Sequence, residues 1–134
     1  MQTNNSLPAN LDAERAVLGS ILIDPDAILK ISRLQVADFF SERNGWIFQA
    51  MLSLTEQRQP VDTVMVADEL DRNDRLLECG GPACLTELIS ATPTAMYVEH
   101  YADVIIEASA RRRQIAAAGQ LAGLAFDTTQ QMAD

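Results

Sequence analysis

The residue types that most often carry chemistry are sparse in this chain. His100 is its only histidine, so a solvent-exposed or interface histidine is expected there rather than a metal ligand. Cys79 and Cys84 could supply two zinc ligands, but a structural zinc site needs four, and the chain offers no two further ligands to complete it. Both cysteines are therefore interpreted as small core residues.

Phosphate chemistry and acid–base chemistry find no better support. Gly80 and Gly81 lack the Gly-Lys-Ser/Thr ending of a phosphate-binding loop, and a tight turn before Pro82 explains them. The carboxylates are interpreted as solvated helix faces, in three groups: Asp12 and Glu14; Asp68, Glu69 and Asp71; Asp103 and Glu107. We therefore predict no catalytic, cofactor-binding or metal-binding residues here, which disfavours an enzyme.

The charge of the chain argues against broad contact with nucleic acid. Its 10 basic and 19 acidic residues give a net charge of −9, and the first 110 residues hold 7 basic against 17 acidic groups, a balance of −10. Such a surface repels phosphate. The N-terminus lacks the basic start and apolar run of a signal peptide, and the uncharged run 114–126 is shorter than the roughly 20 residues that cross a bilayer. We expect a soluble, cytoplasmic protein without membrane contact.

Apolar residues at helical spacing predict an all-α fold. Residues 1–9 are interpreted as a flexible lead, and residues 10–93 as a small globular bundle of about five short helices. A capping residue or a proline begins each apolar run. The predicted starts are Leu11 after Asn10, Pro25 after Asp24, Glu42 after Ser41, a start after Asp62, and Pro82. Val61 and 64–66 are the only strand-like cluster, and the nearby Asp62 suits a helix start better.

The segment 94–134 is predicted to begin with one long helix, continuous from Ala95 to Phe126. At 1.5 Å per residue this helix spans roughly 48 Å, so its far end should project from the bundle. Between Ile115 and Phe126 only Gln120 is polar, and a helix that is apolar all round must be covered.

Two interpretations of this apolar end remain open. Its small residues would let another helix approach closely, while Ile115, Leu121, Leu124 and Phe126 supply buried area; packing of this kind is favoured. The alternative is a frayed tail, because the two glycines at 119 and 123 each weaken a helix by about 1 kcal/mol relative to alanine.

Three consecutive arginines, Arg111, Arg112 and Arg113, precede the apolar end. At about 100° per residue they fan over about 200° of the helix and cannot form one flat phosphate-binding patch. Pairing with an acidic protein partner is favoured, over a solvated collar and over contact with DNA. The candidate interface thus comprises Arg111, Arg112, Arg113, Ile115, Leu121, Leu124 and Phe126.

Over nearly its whole length the chain resembles the N-terminal domain of DnaB-type bacterial replicative DNA helicases. The resemblance rests on the order and spacing of Pro8, Ala13-Glu14, Val17-Leu18-Gly19-Ser20, Asp38-Phe39-Phe40, Ile47-Phe48, Leu54, Pro60-Val61-Asp62, Leu70, Gly80-Gly81, Leu85, Leu88, Pro93, Tyr101-Ala102 and Arg112. Asn44 departs from the histidine usual in the family, and Cys84 from a common aromatic. Neither departure is expected to alter the fold.

The resemblance implies a helical globule followed by a helical hairpin, whose first arm is the long helix. Hairpins of neighbouring subunits would pair into a collar, a trimer of dimers within a hexameric ring, and this collar would dock the primase; a helicase loader is a further candidate partner. ATP and Mg²⁺ would bind a C-terminal RecA-like domain, of which these residues contain no Walker motif.

The function implied is therefore non-catalytic: subunit assembly and primase docking for an ATP-dependent helicase. The alternative is a stand-alone all-α adaptor or regulator of a replicative helicase that copies this domain.

Overall fold

The computed structural model describes residues 6–127, and within that range all regular structure is helical. The α-helices are α1 (Leu11–Ile23), α2 (Glu42–Glu56), α3 (Thr63–Arg72), α4 (Pro82–Ala91) and α5 (Val98–Phe126), with short 3₁₀ helices at Pro25–Ile31 and Val36–Asp38. The predicted all-α fold is confirmed. Residues 1–5 of the expected N-terminal lead, and residues 128–134 of the segment after the long helix, lie outside the described range.

Side-chain caps begin the first helices where the sequence predicts. Asn10 Oδ1 accepts a hydrogen bond from the backbone N–H of Ala13 at 2.9 Å, and α1 has the predicted bounds. Ser41 caps α2 and Asp62 caps α3 in the same way. Residues 64–66 of the strand-like cluster are therefore helical, because a capped first turn satisfies backbone donors that a lone strand would leave unpaired.

Gly80 and Gly81 form the tight turn predicted before α4. Their φ angles are 103° and 77°, in the left-handed region that glycine adopts without a Cβ clash. Pro82 then occupies the first position of α4, where its missing N–H leaves no intrahelical bond unmade.

The second predicted helix is a 3₁₀ helix. Asp24 caps it and Pro25 begins it, as expected. The three-residue period of a 3₁₀ helix places Ile28 and Ile31 on the same buried side and leaves Leu29 exposed to solvent.

The long helix begins at Val98 instead of Ala95. The Thr94 hydroxyl accepts a hydrogen bond from the backbone N–H of Met96 at 3.1 Å and so holds a local turn, while Tyr97 has non-helical dihedral angles. With 29 residues, α5 is about 43 Å long.

Helix α1 lies at the centre of the bundle and packs against both α4 and α5. Gly19 permits the crossing with α4, because a Cβ built there would lie 2.0 Å from Thr92 Oγ1 and 2.5 Å from the carbonyl oxygen of Leu88. Helix α2 packs mainly on α3. The core is largely aliphatic, with the Phe39 and Phe48 rings in contact at 5.0 Å between centroids.

The chain divides at the end of the buried part of α5. Residues 6–112 form the body, in which Ser109 is the last buried residue. Residues 113–126, here called the arm, are exposed at every position. The arm extends for about 21 Å, so the projection predicted from the sequence is present. None of the helices within residues 6–127 combines the length and apolarity that crossing a membrane requires.

Candidate assembly interface

The arm presents apolar side chains that no other described part of the chain covers. The exposed fraction is 48% for Ile115, 70% for Leu121, 54% for Leu124 and 86% for Phe126. Burying one such side chain in an interface stabilises it by about 1.5–3 kcal/mol. The four apolar residues among the seven predicted as an interface therefore lie where a partner could reach them; that a partner binds them stays a prediction.

The apolar residues of the arm occupy two helix faces. At about 100° per residue, Phe126 lies roughly 20° around the axis from Ile115, whereas Leu124 lies about 180° away from Ile115 and Leu121 about 60° from Leu124. One face thus contains Ile115 and Phe126, and the opposite face Leu121 and Leu124. An arm with apolar residues on opposite faces suits contact with two neighbouring helices, not one.

Small residues separate these larger ones. A Cβ built on Gly119 or on Gly123 would meet no atom within 4 Å, so neither glycine is required by packing within residues 6–127. Glycine and alanine on a helix surface let a second helix approach closely. These two glycines weaken the arm as an isolated helix, and a close helix contact would explain their presence.

The three predicted arginines each have a partner within the chain. Arg111 forms an exposed ion pair with Glu107 one turn earlier, at 2.9 Å. Arg112 donates from Nη1 to the Pro8 carbonyl oxygen at 2.8 Å and from Nη2 to the Asp38 carbonyl oxygen at 2.7 Å. The predicted pairing with an acidic surface of another protein remains open for Arg111, whose side chain is 63% exposed.

Asp38 is the centre of the contacts at the base of the arm, and the sequence did not mark it as such. Its Oδ1 accepts from Ser109 Oγ at 2.8 Å and lies 3.5 Å from Arg113 Nη1, which itself donates to Ser109 Oγ. Its Oδ2 accepts from the backbone N–H of Gln35. Asp38 and Arg112 both belong to the residue pattern on which the resemblance rests, but nothing in the sequence indicates that they lie in contact.

The prediction that the acidic groups are solvated faces is wrong for Glu14. This residue is 1% exposed, and its carboxylate accepts from the backbone N–H groups of Phe40 at 2.7 Å and Ser41 at 3.2 Å and from the Asn44 side chain at 3.0 Å. Glu14 therefore joins α1 to the start of α2, because its three donors come from that region.

The same prediction is wrong for Glu69, which is 8% exposed and lies between Ser53 and Arg72. It holds for the other acidic residues named with it, which are exposed: Asp12, Asp68, Asp71, Asp103 and Glu107.

The two cysteines line a groove of about 400 Å³ between α1, α2 and α4. Both are free thiols, with Cys79 buried and Cys84 partly buried. Burial raises the pKa of Cys79 to about 11 and also raises that of Cys84. Both thiols are therefore protonated near neutral pH, which makes them poor nucleophiles and poor metal ligands. No cluster of three or more His, Cys, Asp or Glu side chains suited to a metal occurs within residues 6–127.

His100 is exposed on α5, and its ring approaches that of Tyr101 edge-on at 6.0 Å between centroids. This location agrees with the exposed histidine expected from the sequence.

The sequence-family model of the DnaB-like helicase N terminal domain matches residues 6–107 of this chain. That range contains all of the body except residues 108–112. The chain belongs to the family of DnaB-like helicase N-terminal domains. Fold and sequence pattern therefore agree on the resemblance drawn above.

A relative of this DnaB-like domain is the replicative DNA helicase DnaB of Geobacillus stearothermophilus, 40% identical over 116 residues. The match covers 86% of this chain but 26% of the relative, so the chain spans about a quarter of that protein's length.

Solved structures show the same fold. The N-terminal domain of DnaB helicase from Mycobacterium tuberculosis has a TM-score of 0.88 at 35% identity, over 90% of this chain and 87% of that one. The corresponding domain from Helicobacter pylori, described together with its interactions with primase, has a TM-score of 0.75 at 25% identity, over 87% of this chain and 91% of that one.

Proposed function

We propose that this chain is the collar domain of a hexameric replicative helicase, in which the arm assembles subunits and the resulting collar docks primase. The observation that carries the proposal is the arm, with exposed Ile115 and Phe126 on one face and Leu121 and Leu124 on the other. Membership of the DnaB-like family supports it.

The two faces of the arm fit two helical neighbours. One face would pack on the second arm of a hairpin within the same subunit, and the other on the arm of a second copy. Repeated around a ring, such pairs would give a trimer of dimers. Exposed apolar residues separated by alanine and glycine favour this arrangement, because helices that approach closely bury more area per residue.

The collar is also the proposed binding surface for partner proteins. The related domain from Helicobacter pylori is described with its interactions with primase, and primase is accordingly the proposed partner here, with a helicase loader as a second. Direct binding of DNA by these residues is expected to be weak, because the first 110 residues, with a charge balance of −10, repel phosphate.

Helicase chemistry would reside elsewhere in the assembled protein. ATP and Mg²⁺ would bind a RecA-like domain C-terminal to these residues, whose single lysine, Lys30, belongs to no phosphate-binding loop. This domain would contribute assembly and docking without hydrolysis. Because relatives are bacterial replicative helicases, the proposed place of action is the cytoplasm, at the replication fork.

Cysteine cross-linking tests the assembly role. In a background with Cys79→Ala and Cys84→Ala, the single substitution Ala122→Cys places a thiol on the arm, and the matched control Ser90→Cys places one on the exposed face of α4. Mild oxidation should give a covalent dimer with Ala122→Cys, and the yield should fall on dilution. Equal dimer yields from the two variants, or no dimer from Ala122→Cys, would contradict arm pairing.

A further inference from the structure

The base of the arm is built around one arginine. Arg112 is the last residue of α5 whose side chain is partly covered, and each residue from Arg113 to Phe126 is exposed. The guanidinium of its neighbour Arg111 forms an ion pair with Glu107, one turn earlier on the same helix. Arg112 instead contacts segments that lie 74 and 104 residues away in the chain.

The guanidinium of Arg112 holds three groups at once. It donates to the carbonyl oxygens of Pro8 and Asp38, at 2.8 and 2.7 Å, and lies 5.3 Å from the centroid of the Phe40 ring. A planar fork with several donors and a flat face can meet two carbonyl groups and a ring together, which a lysine ammonium cannot. These contacts hold the N-terminal segment, the turn before α2 and helix α5 together at the base of the arm. This set of contacts around Arg112 is called the joint below.

The residue that accepts a hydrogen bond from Arg112 at the start of this turn, Asp38, is itself held in place. The Asp38 carboxylate is buried and bonded to the backbone of Gln35 and to the Ser109 hydroxyl of α5. A rotation of α5 would therefore break the hydrogen bond from Ser109 to the Asp38 carboxylate as well as the one from Arg112 to the Asp38 carbonyl oxygen.

We propose that Arg112 is a positioning residue that sets the direction in which the arm leaves the body, acting through Pro8 and the Asp38–Phe40 turn. The joint lies at the base of a lever about 21 Å long, so a pivot of about 15° displaces the tip by about 5 Å. The consequence for subunit pairing rests on the proposed function; the direction of the arm is a property of the single chain.

Spin-label distances measure this direction. Labels at Thr86→Cys on α4 and Gln120→Cys on the arm, in the Cys79→Ala and Cys84→Ala background, report the angle between body and arm. Dilution of the labelled chain with unlabelled chain removes distances between copies. The label at residue 120 lies about 12 Å from Arg112, so the same pivot moves it by about 3 Å. Arg112→Ala should therefore shift or broaden the distance distribution by about 3 Å, and Arg112→Lys should do so nearly as much, because lysine cannot replace the fork.

Arg111→Ala is the matched control and should leave the distribution unchanged. Urea denaturation checks that the body of each variant stays folded, since a merely structural role would lower stability without moving the arm. A distribution for Arg112→Ala that equals that of wild type would overturn the inference, whatever the oligomeric state. Conversely, a wild-type chain that does not self-associate would contradict the proposed function, while the distance measurement would still test the role of Arg112.

Discussion

At the scale of single residues, a few buried polar groups fix how the helices meet. Glu14 is the clearest example, since its carboxylate accepts three hydrogen bonds from donors at the start of α2. A buried acceptor with three donors is stable only while all partners are present, because a lost hydrogen bond leaves a desolvated group unpaired.

Replacing this acceptor by a donor should be destabilising. Glu14→Gln keeps the shape of the side chain but turns an NH₂ group toward N–H donors, so the free energy of unfolding should fall by about 2 kcal/mol in urea denaturation. Asp12→Asn is the control, since Asp12 is exposed on the same helix turn and its loss should change stability by less than about 1 kcal/mol. Equal effects of the two substitutions would show that the Glu14 bonds contribute little.

The buried thiol of Cys79 should make stability depend on pH. Its pKa is raised from 9.0 to about 11 by burial, so the folded state holds its proton more tightly than the unfolded state does. The contribution is therefore fully present below pH 9 and is lost as the pH rises through 11, by an amount on the order of 2 kcal/mol. The test is the difference in the free energy of unfolding between wild type and Cys79→Ala, measured by urea denaturation. A difference that stays constant from pH 8 to pH 11 would be the contrary result.

The burial of Glu14 could not be predicted from local sequence. Its partners Phe40, Ser41 and Asn44 lie 26 to 30 residues away, and an acidic residue in a first helix turn is usually solvated. The same limit applies to Arg112. The sequence shows that it belongs to a basic cluster, but its carbonyl partners on Pro8 and Asp38 are brought to it only by the fold. Residue type and spacing indicate that a group is polar, but only packing decides whether it is buried.

At the scale of the elements, local signals were sufficient where a cap and an apolar spacing agree. Helix α1 has its predicted bounds because Asn10 caps it and its apolar residues recur on one face. The start of α5 differs because the Thr94 hydroxyl supports a competing turn, which apolar spacing does not reveal. The 3₁₀ form of Pro25–Ile31 was equally hidden, since capping residues and proline begin both helix types.

Two helical glycines should respond oppositely to alanine. Gly19→Ala should destabilise the body by about 1–3 kcal/mol, because the new methyl group would overlap Thr92 and Leu88 where α1 crosses α4. Gly119→Ala meets open space and should stabilise the arm helix by up to about 1 kcal/mol. Thermal unfolding followed by circular dichroism at low protein concentration measures both. A tolerated Gly19→Ala would mean that the crossing can relax.

At the scale of the whole molecule, an acidic body carries an arm that is apolar on two faces. The body is held by its own core, whereas the arm has no cover among the described residues. The proposed function accounts for this division, since a ring would need a rigid unit and a surface that joins one unit to the next.

The most direct test of this account is the mass distribution of the chain in sedimentation velocity. Wild type should show concentration-dependent self-association, and the double substitution Leu121→Asp with Leu124→Asp should reduce it, because charged side chains disfavour a buried helix contact. Leu77→Asp, at an 89% exposed leucine on the body, should sediment as wild type does. Identical distributions for wild type and the double variant would contradict the assignment of the arm as the assembly surface.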